Sequence, residues 1–138
     1  NRQLSILAID LDNFKVVNDE EGHAAGDQLL AAVARRLEAT IRAADAAARM
    51  GGDEFSILLV DAGEESATET AHRLVAELGK PYPGIQTRVS ASIGIAVYPQ
   101  AGADLAELLE NADRALYAAK RGGRNTCRLA GCAKTSEV

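Results

Sequence analysis

A chain of 138 residues, 47% of them hydrophobic, is long and apolar enough to bury the core of one domain. Its net charge of −5 argues against a general affinity for nucleic acid or anionic membranes, and 4% aromatics argue against a base-stacking platform for single strands. A polyanionic ligand must then be held locally, by metal ions or by a few placed Lys and Arg side chains.

Residues 4–10, Leu-Ser-Ile-Leu-Ala-Ile-Asp, are apolar almost throughout and end in an acid. That pattern predicts a central strand buried on both faces, delivering Asp10 at its carboxyl edge. A polar connection over residues 12–19 follows and closes at Gly22-His23. Across residues 25–42, Leu29, Leu30, Val33, Leu37 and Ile41 trace one face of a helix. Asp27 falls in its first turn, where the helix dipole favours an anion. The run Gly51-Gly52-Asp53-Glu54-Phe55 then joins two strand-like segments, because glycine accepts the positive φ that hairpin turns need.

Ser66-Ala67-Thr68-Glu69 reads as a capping box opening a second helix through Leu74, Val75 and Leu78, which Gly79-Lys80-Pro81 stops. In residues 87–97, Val89, Ala91, Ile93, Ile95 and Val97 alternate as in a strand, with Gly94 marking a bulge or a close approach. Residues 104–120 form the clearest helix, opened by Asp104…Glu107 and burying Leu105, Leu108, Leu109, Ala112, Leu116 and Ala119. A short edge strand is expected over 126–129. This order predicts an α+β fold, a mostly antiparallel sheet with helices packed on it. No repeat or interior boundary divides it, so residues 1–138 read as a single domain, with residues 130–138 as a tail.

Cys127 and Cys132 have no second Cys or His beside them at metal-ligand spacing, and His23 and His72 lie far from both in the sequence. Free thiols in a reducing cytoplasm are expected, and a zinc site is not. No apolar run is long enough to span a bilayer, so no membrane contact by the domain is expected, although its parent protein can carry an anchor.

If the first strand pairs with the hairpin, the carboxylates of Asp10 and Asp53 meet at one rim of the sheet. Carboxylates with a backbone carbonyl suit magnesium, which keeps waters and shares substrate phosphates. Lys15, Lys120 and Arg124 would then neutralise a polyphosphate. Each piece also has an ordinary reading, which the residues alone leave open. A strand-end acid or a hairpin carboxylate can simply be solvated, and a cation at a helix C-terminus is favoured by the dipole. Asn18-Asp19 is common loop chemistry, and Arg42 and Asp45 can be a helix-end cation and a turn residue.

The pieces occur in a fixed order: Asp10-Leu11-Asp12-Asn13-Phe14-Lys15, Asn18-Asp19, Gly22-His23, Gly26-Asp27, the Gly51 to Phe55 run, Ser92-Ile93-Gly94, Ala112-Asp113, Ala115-Leu116-Tyr117, and Ala119-Lys120…Gly123-Arg124-Asn125. Together they resemble the GGDEF family, the diguanylate cyclases that make cyclic di-GMP from two GTP molecules. The resemblance runs over residues 4–126, nearly the whole chain, and implies an adenylyl-cyclase-like, ferredoxin-like sheet covered by helices. It implies that Asp10, the main-chain carbonyl of Leu11 and Asp53 hold two Mg²⁺ ions (Mn²⁺ being the alternative), with Glu54 in support and Asp53 or Glu54 helping to deprotonate the attacking 3′-hydroxyl. Gly51 and Gly52 would admit the phosphates, Phe14 would belong to the substrate site, and Lys15, Lys120 and Arg124 would contact the triphosphate. Asn18 and Asp27 match the guanine-reading pair, since a carboxylate accepts from guanine N1 and N2 and adenine lacks that donor pair.

One such domain holds one GTP, so the resemblance implies a homodimer of half-sites, paired by an upstream sensor or receiver domain. Arg42-Ala43-Ala44-Asp45 matches the family's RxxD inhibitory site, with Arg73 as its second arginine, and implies feedback inhibition by cyclic di-GMP. Family members carry a D-x-L-T-G-L-x-N-R segment further upstream than this chain reaches, so the chain reads as an N-terminally trimmed domain. Nucleotide affinity and productive pairing are the properties most exposed to that trimming. Nothing after Asn125 resembles the start of a phosphodiesterase domain, so the domain is expected to close its parent protein. The competing expectations are a catalytically silent module that binds GTP or cyclic di-GMP, and a purely structural dimerisation domain that leaves the carboxylates unexplained.

Overall fold

The computed structural model describes residues 2–131. The chain runs β1 (Leu4–Asp12), α1 (Phe14–Glu21), α2 (His23–Thr40), β2 (Ala46–Gly51), β3 (Glu54–Val60), α3 (Glu64–Leu78), β4 (Ser90–Tyr98), α4 (Leu105–Arg121) and β5 (Cys127–Leu129). Its strands form one sheet in the order β2-β3-β1-β4-β5, antiparallel except for β4 with β5. This is the expected α+β architecture, a mostly antiparallel ferredoxin-like and adenylyl-cyclase-like sheet covered by helices.

β1 lies at the centre, flanked by β3 and β4, which explains why it is apolar on both faces. Its odd-numbered residues Leu7, Ile9 and Leu11 join Ala91, Ile93, Ile95 and Val97 of β4 in the larger core, under α1, α2 and α3. Its even-numbered residues Ile6 and Ala8 face α4, in a smaller cluster with Ala96, Leu108, Ala112 and Leu116. The period of two carries Asp10 and Asp12 onto the α4 face as well. The strand thus ends its apolar run by turning carboxylates toward one helix.

That helix sits unusually close to the sheet. A Cβ placed on Gly94 of β4 would stand 2.1 Å from the carbonyl oxygen of Ala112 and 2.3 Å from the amide nitrogen of Leu116. Gly94 therefore marks a close approach of helix to strand, one of the two meanings its sequence position allowed. α4 opens as expected, with Asp104 accepting at 2.9 Å from the Glu107 amide.

Four local expectations change. Residues 14–21 are helical and not a loop; only Phe14 and Val17 anchor them to the core, which leaves no periodic stripe to read. α3 begins two residues before Ser66, with Gly63 as its N-cap and no side-chain cap. Glu64 and Glu65 in its first turn take the place of the capping box. Leu105 is 59% exposed and belongs to the outer face of α4. The hairpin turn is centred on Gly52 and Asp53, since Gly51 still pairs with Glu54 across a register shift at Met50. In addition, His72 on α3 comes to Cys127 Sγ, with Nδ1 at 3.7 Å, although the two are distant in sequence. Cys127 is a buried free thiol; Cys132 and most of the expected tail lie outside the described residues. Among the described residues no helix is long and apolar enough to cross a membrane.

Replacing Gly94 with alanine forces α4 off the sheet, because the colliding atoms are backbone and cannot rotate away. We expect Gly94→Ala to destabilise the fold by about 3 kcal/mol, seen as a lower urea midpoint at an unchanged slope.

Candidate functional site

The carboxyl end of β1 and the hairpin turn meet because their backbones are tied. Asp10 pairs in register with Glu54 on one side and Ser92 on the other. The Leu11 amide donates to the carbonyl oxygen of Asp53 at 3.2 Å, which draws the turn against the strand end. Arg49 braces the same turn from β2, its Nε donating to the Gly52 carbonyl at 3.0 Å. A Cβ on Gly51 or Gly52 would meet nothing within 4 Å, so the outer side of the turn is open.

Asp10 is buried, and its two oxygens differ in surroundings. Oδ2 takes the ammonium of Lys120, which α4 delivers over the rim, while Oδ1 is buried with no hydrogen-bond donor. A buried acceptor without a partner is costly and marks a place where a cation or proton belongs. Asp53 stands beside it. Burial pushes the Asp53 carboxyl up to about 6, helped by proton sharing with and repulsion from Asp10 and by a smaller repulsion from Glu54. Two carboxylates held together against one ammonium leave a negative site at neutral pH.

A divalent ion fits this donor set in kind. Its oxygens are hard, one is orphaned, and magnesium needs few protein carboxylates because it keeps waters and substrate oxygens. Among the described residues no group of three or more His, Cys, Asp or Glu side chains converges, so Glu54, which is exposed, stands outside a three-carboxylate cage.

The other expected residues fall into four groups. Arg124 lies 3.7 Å from Asp12 at the same end of the sheet, in the loop after α4. Asn18 lies against Gly26 at the α1–α2 junction, one residue before Asp27. A Cβ on Gly26 would stand 2.0 Å from the Asn18 Oδ1, so any larger residue there would turn the Asn18 amide out of its present place. Asp27 borders a cleft of about 390 Å³, whose apolar lining includes Leu30, Leu37 and Phe55 and whose cation is Arg49. Phe14 packs partly into the core, and Lys15 is solvated and paired with Asp19 at 3.0 Å.

Arg42, Asp45 and Arg73 line a separate cavity of about 120 Å³ between the end of α2 and α3. Arg42 forks onto Asp45, with Nε and Nη2 each 3.2 Å from a carboxylate oxygen, and Nη2 also reaches the Val60 carbonyl. Burial alone would raise Asp45, but hydrogen bonds from Arg42 and the Val60 amide hold it below its ordinary value, and the hydrogen bond to Asp45 with its charge raises Arg42. The Asp45 side chain is 2% exposed, so it is spent on holding its arginine.

Sequence reasoning missed two features. Asp12, buried on the α4 face, accepts from Ser90 and Ser92 of β4 and from the Asn125 amide; the signal was the pairing of an even-numbered acid in β1 with alternate serines in β4. Arg49 was missed because its role depends on the bulge at Met50.

Residues 1–126 match the family model for the diguanylate cyclase, GGDEF domain. Over 128 residues the chain is 49% identical to MucR of Pseudomonas aeruginosa, a bifunctional diguanylate cyclase/cyclic di-GMP phosphodiesterase, covering 91% of this chain and 18% of that protein. The solved GGDEF domain of TpbB, also from Pseudomonas aeruginosa, superposes with a TM-score of 0.88 at 42% identity, over 94% of this chain and 83% of that one. The GGDEF domain of DgcB from Caulobacter crescentus, solved in complex with c-di-GMP, superposes at 0.83 with 30% identity, over 93% of this chain and 78% of that one. The chain spans less than a third of the length of MucR, of TpbB and of a signaling protein from Caulobacter vibrioides, curated relatives that it matches.

The raised Asp53 carboxyl carries a signed pH prediction. The folded state holds this proton more tightly than the unfolded chain does. Stability without metal should thus be greatest below about pH 4 for this group and fall as pH rises to about 6. Thermal melts of metal-free protein should show that slope, Asp53→Asn should flatten it, and Mg²⁺ at pH 7 should raise the wild-type midpoint more than that of the variant.

Proposed function

The chain belongs to the GGDEF family, and on that premise we propose that it is a diguanylate cyclase domain that condenses two GTP into cyclic di-GMP with loss of two pyrophosphates. Its relatives in the family include diguanylate cyclases, which are in general dependent on divalent metals. The observation that carries the reading is the Asp10–Asp53 pair at the sheet rim, with one buried oxygen lacking a donor and Lys120 beside it.

In this reading Asp10, the Leu11 carbonyl and Asp53 hold the divalent ions, with Glu54 in support. When bound, those ions offset charge on the phosphates and polarise the α-phosphorus toward attack. The open side of Gly51 and Gly52 lets the triphosphate lie against bare backbone, and Phe14 shapes the same substrate site. Lys120, Arg124 and Lys15 neutralise it, Lys15 by leaving Asp19. Guanine enters the cleft beside Asp27, whose carboxylate accepts from N1–H and N2–H, while Asn18 donates its amide.

The reaction needs a second copy face to face. The 3′-hydroxyl oxygen of one GTP attacks the α-phosphorus of the other, its proton passes to the Asp53 or Glu54 carboxylate, and pyrophosphate leaves. Catalysis is then mostly positioning and charge stabilisation. Product returns to the Arg42, Asp45 and Arg73 cavity, where the two arginines meet phosphate and guanine edges and Asp45 keeps Arg42 aligned. The DgcB complex supports product binding by a domain of this kind.

Incubation with GTP and Mg²⁺ followed by nucleotide separation tests the reading. We expect cyclic di-GMP and pyrophosphate from wild type, and a loss of about 10³-fold or more in Asp53→Ala. A folded chain that binds GTP or cyclic di-GMP yet forms no product would point to a silent binding module. For the product site, Arg42→Ala should lose cyclic di-GMP binding by at least about tenfold in calorimetry while retaining turnover; unchanged binding would remove that cavity from the account.

A further inference from the structure

We infer that Asp12 is a positioning residue for substrate: its buried carboxylate holds the loop after α4 in the one conformation that presents Arg124 at the rim. This rests on the reading of Arg124 as a triphosphate contact.

The loop has an unfavourable backbone. Gly123, Arg124 and Asn125 take φ values of 115°, 66° and 50°, three successive left-handed residues of which two carry side chains. Such a run persists only where its surroundings over-determine it. Part of the restraint is backbone: the Arg124 amide donates to the Ala119 carbonyl at 3.1 Å, and Thr126 accepts from the Ile93 amide at 2.9 Å. The remainder is Asp12. Its Oδ2 accepts from the Asn125 amide at 3.1 Å and from the Ser90 hydroxyl at 2.6 Å, its Oδ1 accepts from the Ser92 hydroxyl at 2.9 Å, and Arg124 Nη1 stands 3.7 Å from the same Oδ1.

The division of labour follows from exposure. The Asp12 side chain is 2% exposed, while that of Arg124 is 57% exposed. Asp12 is thus out of reach of a solvent-borne ligand, whereas the guanidinium has donors left for one. The two serines fix the carboxylate from β4, so strand, carboxylate and loop form one link between the sheet and an exposed cation. A long side chain held at its root by backbone and at one nitrogen by charge loses less freedom on meeting phosphate.

The test uses the whole 138-residue chain, carrying Asp12→Asn, Arg124→Ala and both. GTP affinity is measured calorimetrically with Mg²⁺, and amide exchange over residues 122–126 without nucleotide. Asp12→Asn should weaken GTP binding about tenfold and no more than Arg124→Ala does, and the double variant should bind no more weakly than Arg124→Ala alone. Exchange at Asn125 should rise about tenfold in Asp12→Asn, reporting a loosened loop without any ligand. If Asp12→Asn fails to fold, Ser90→Ala with Ser92→Ala keeps the charge and removes its anchors, and should give a smaller loss of the same kind. A lower melting midpoint with unchanged GTP affinity, or additive losses in the double variant, would overturn the assignment and leave Asp12 a purely structural acid. Wild-type chain that binds no GTP would overturn the reading of the rim and this assignment with it; wild-type binding with an unaffected variant overturns this assignment alone.

Discussion

The backbone of α4 rests on β4 at Gly94, with the Ala112 carbonyl and the Leu116 amide so near that any side chain on that residue would collide. Ala8, paired with Gly94 across the ladder, keeps the neighbouring surface low as well. This contact sets the height of the helix above the sheet, and two turns further on it brings Lys120 down onto Asp10. With a bulkier residue at 94 the helix would ride higher, and the ammonium would lose the carboxylate it now meets. The cationic side of the rim is thus fixed by the absence of a side chain two turns away.

Around that contact the charges are arranged unevenly. Asp10, beside Asp53, holds the Lys120 ammonium, Asp12 is satisfied by hydroxyls and an amide, and Asp45 is enclosed by its own arginine. Only the first pair is left short of positive charge, with an orphaned oxygen and a carboxyl pushed up to about 6. In a chain of net charge −5 this uneven satisfaction separates a site from a merely acidic surface.

Much of this was legible from residue patterns, for reasons that can be named. β1 and β4 announced themselves through apolar period, and α4 through a wide apolar face and the Asp104 cap that the structure retains. The meeting of Asp10 with the hairpin followed from a strand ending in an acid and a turn carrying one. α1 was hidden because only Phe14 and Val17 anchor it, and the start of α3 because two glutamates at the dipole replace a visible cap. The enclosure of Asp45 depends on the Val60 amide, and the partnership of His72 with Cys127 on the packing of α3 against β5. Such contacts are long-range and leave no local signature. Lys120 was legible as a cation at the rim, though its pairing with Asp10 was not.

The alternation of faces in β1 has a consequence for how this chain can vary. Leu7, Ile9 and Leu11 sink into one core while Ile6, Ala8, Asp10 and Asp12 serve the opposite face, and the strand is zipped to neighbours on both edges. Substitutions there act one position at a time. Gaining or losing a single residue would transpose every later side chain, sending both aspartates under α2 and α3 and apolar residues to the rim. Among descendants of this sequence, β1 should therefore diverge in spelling while keeping a constant length, and insertions should collect in connections such as residues 79–89.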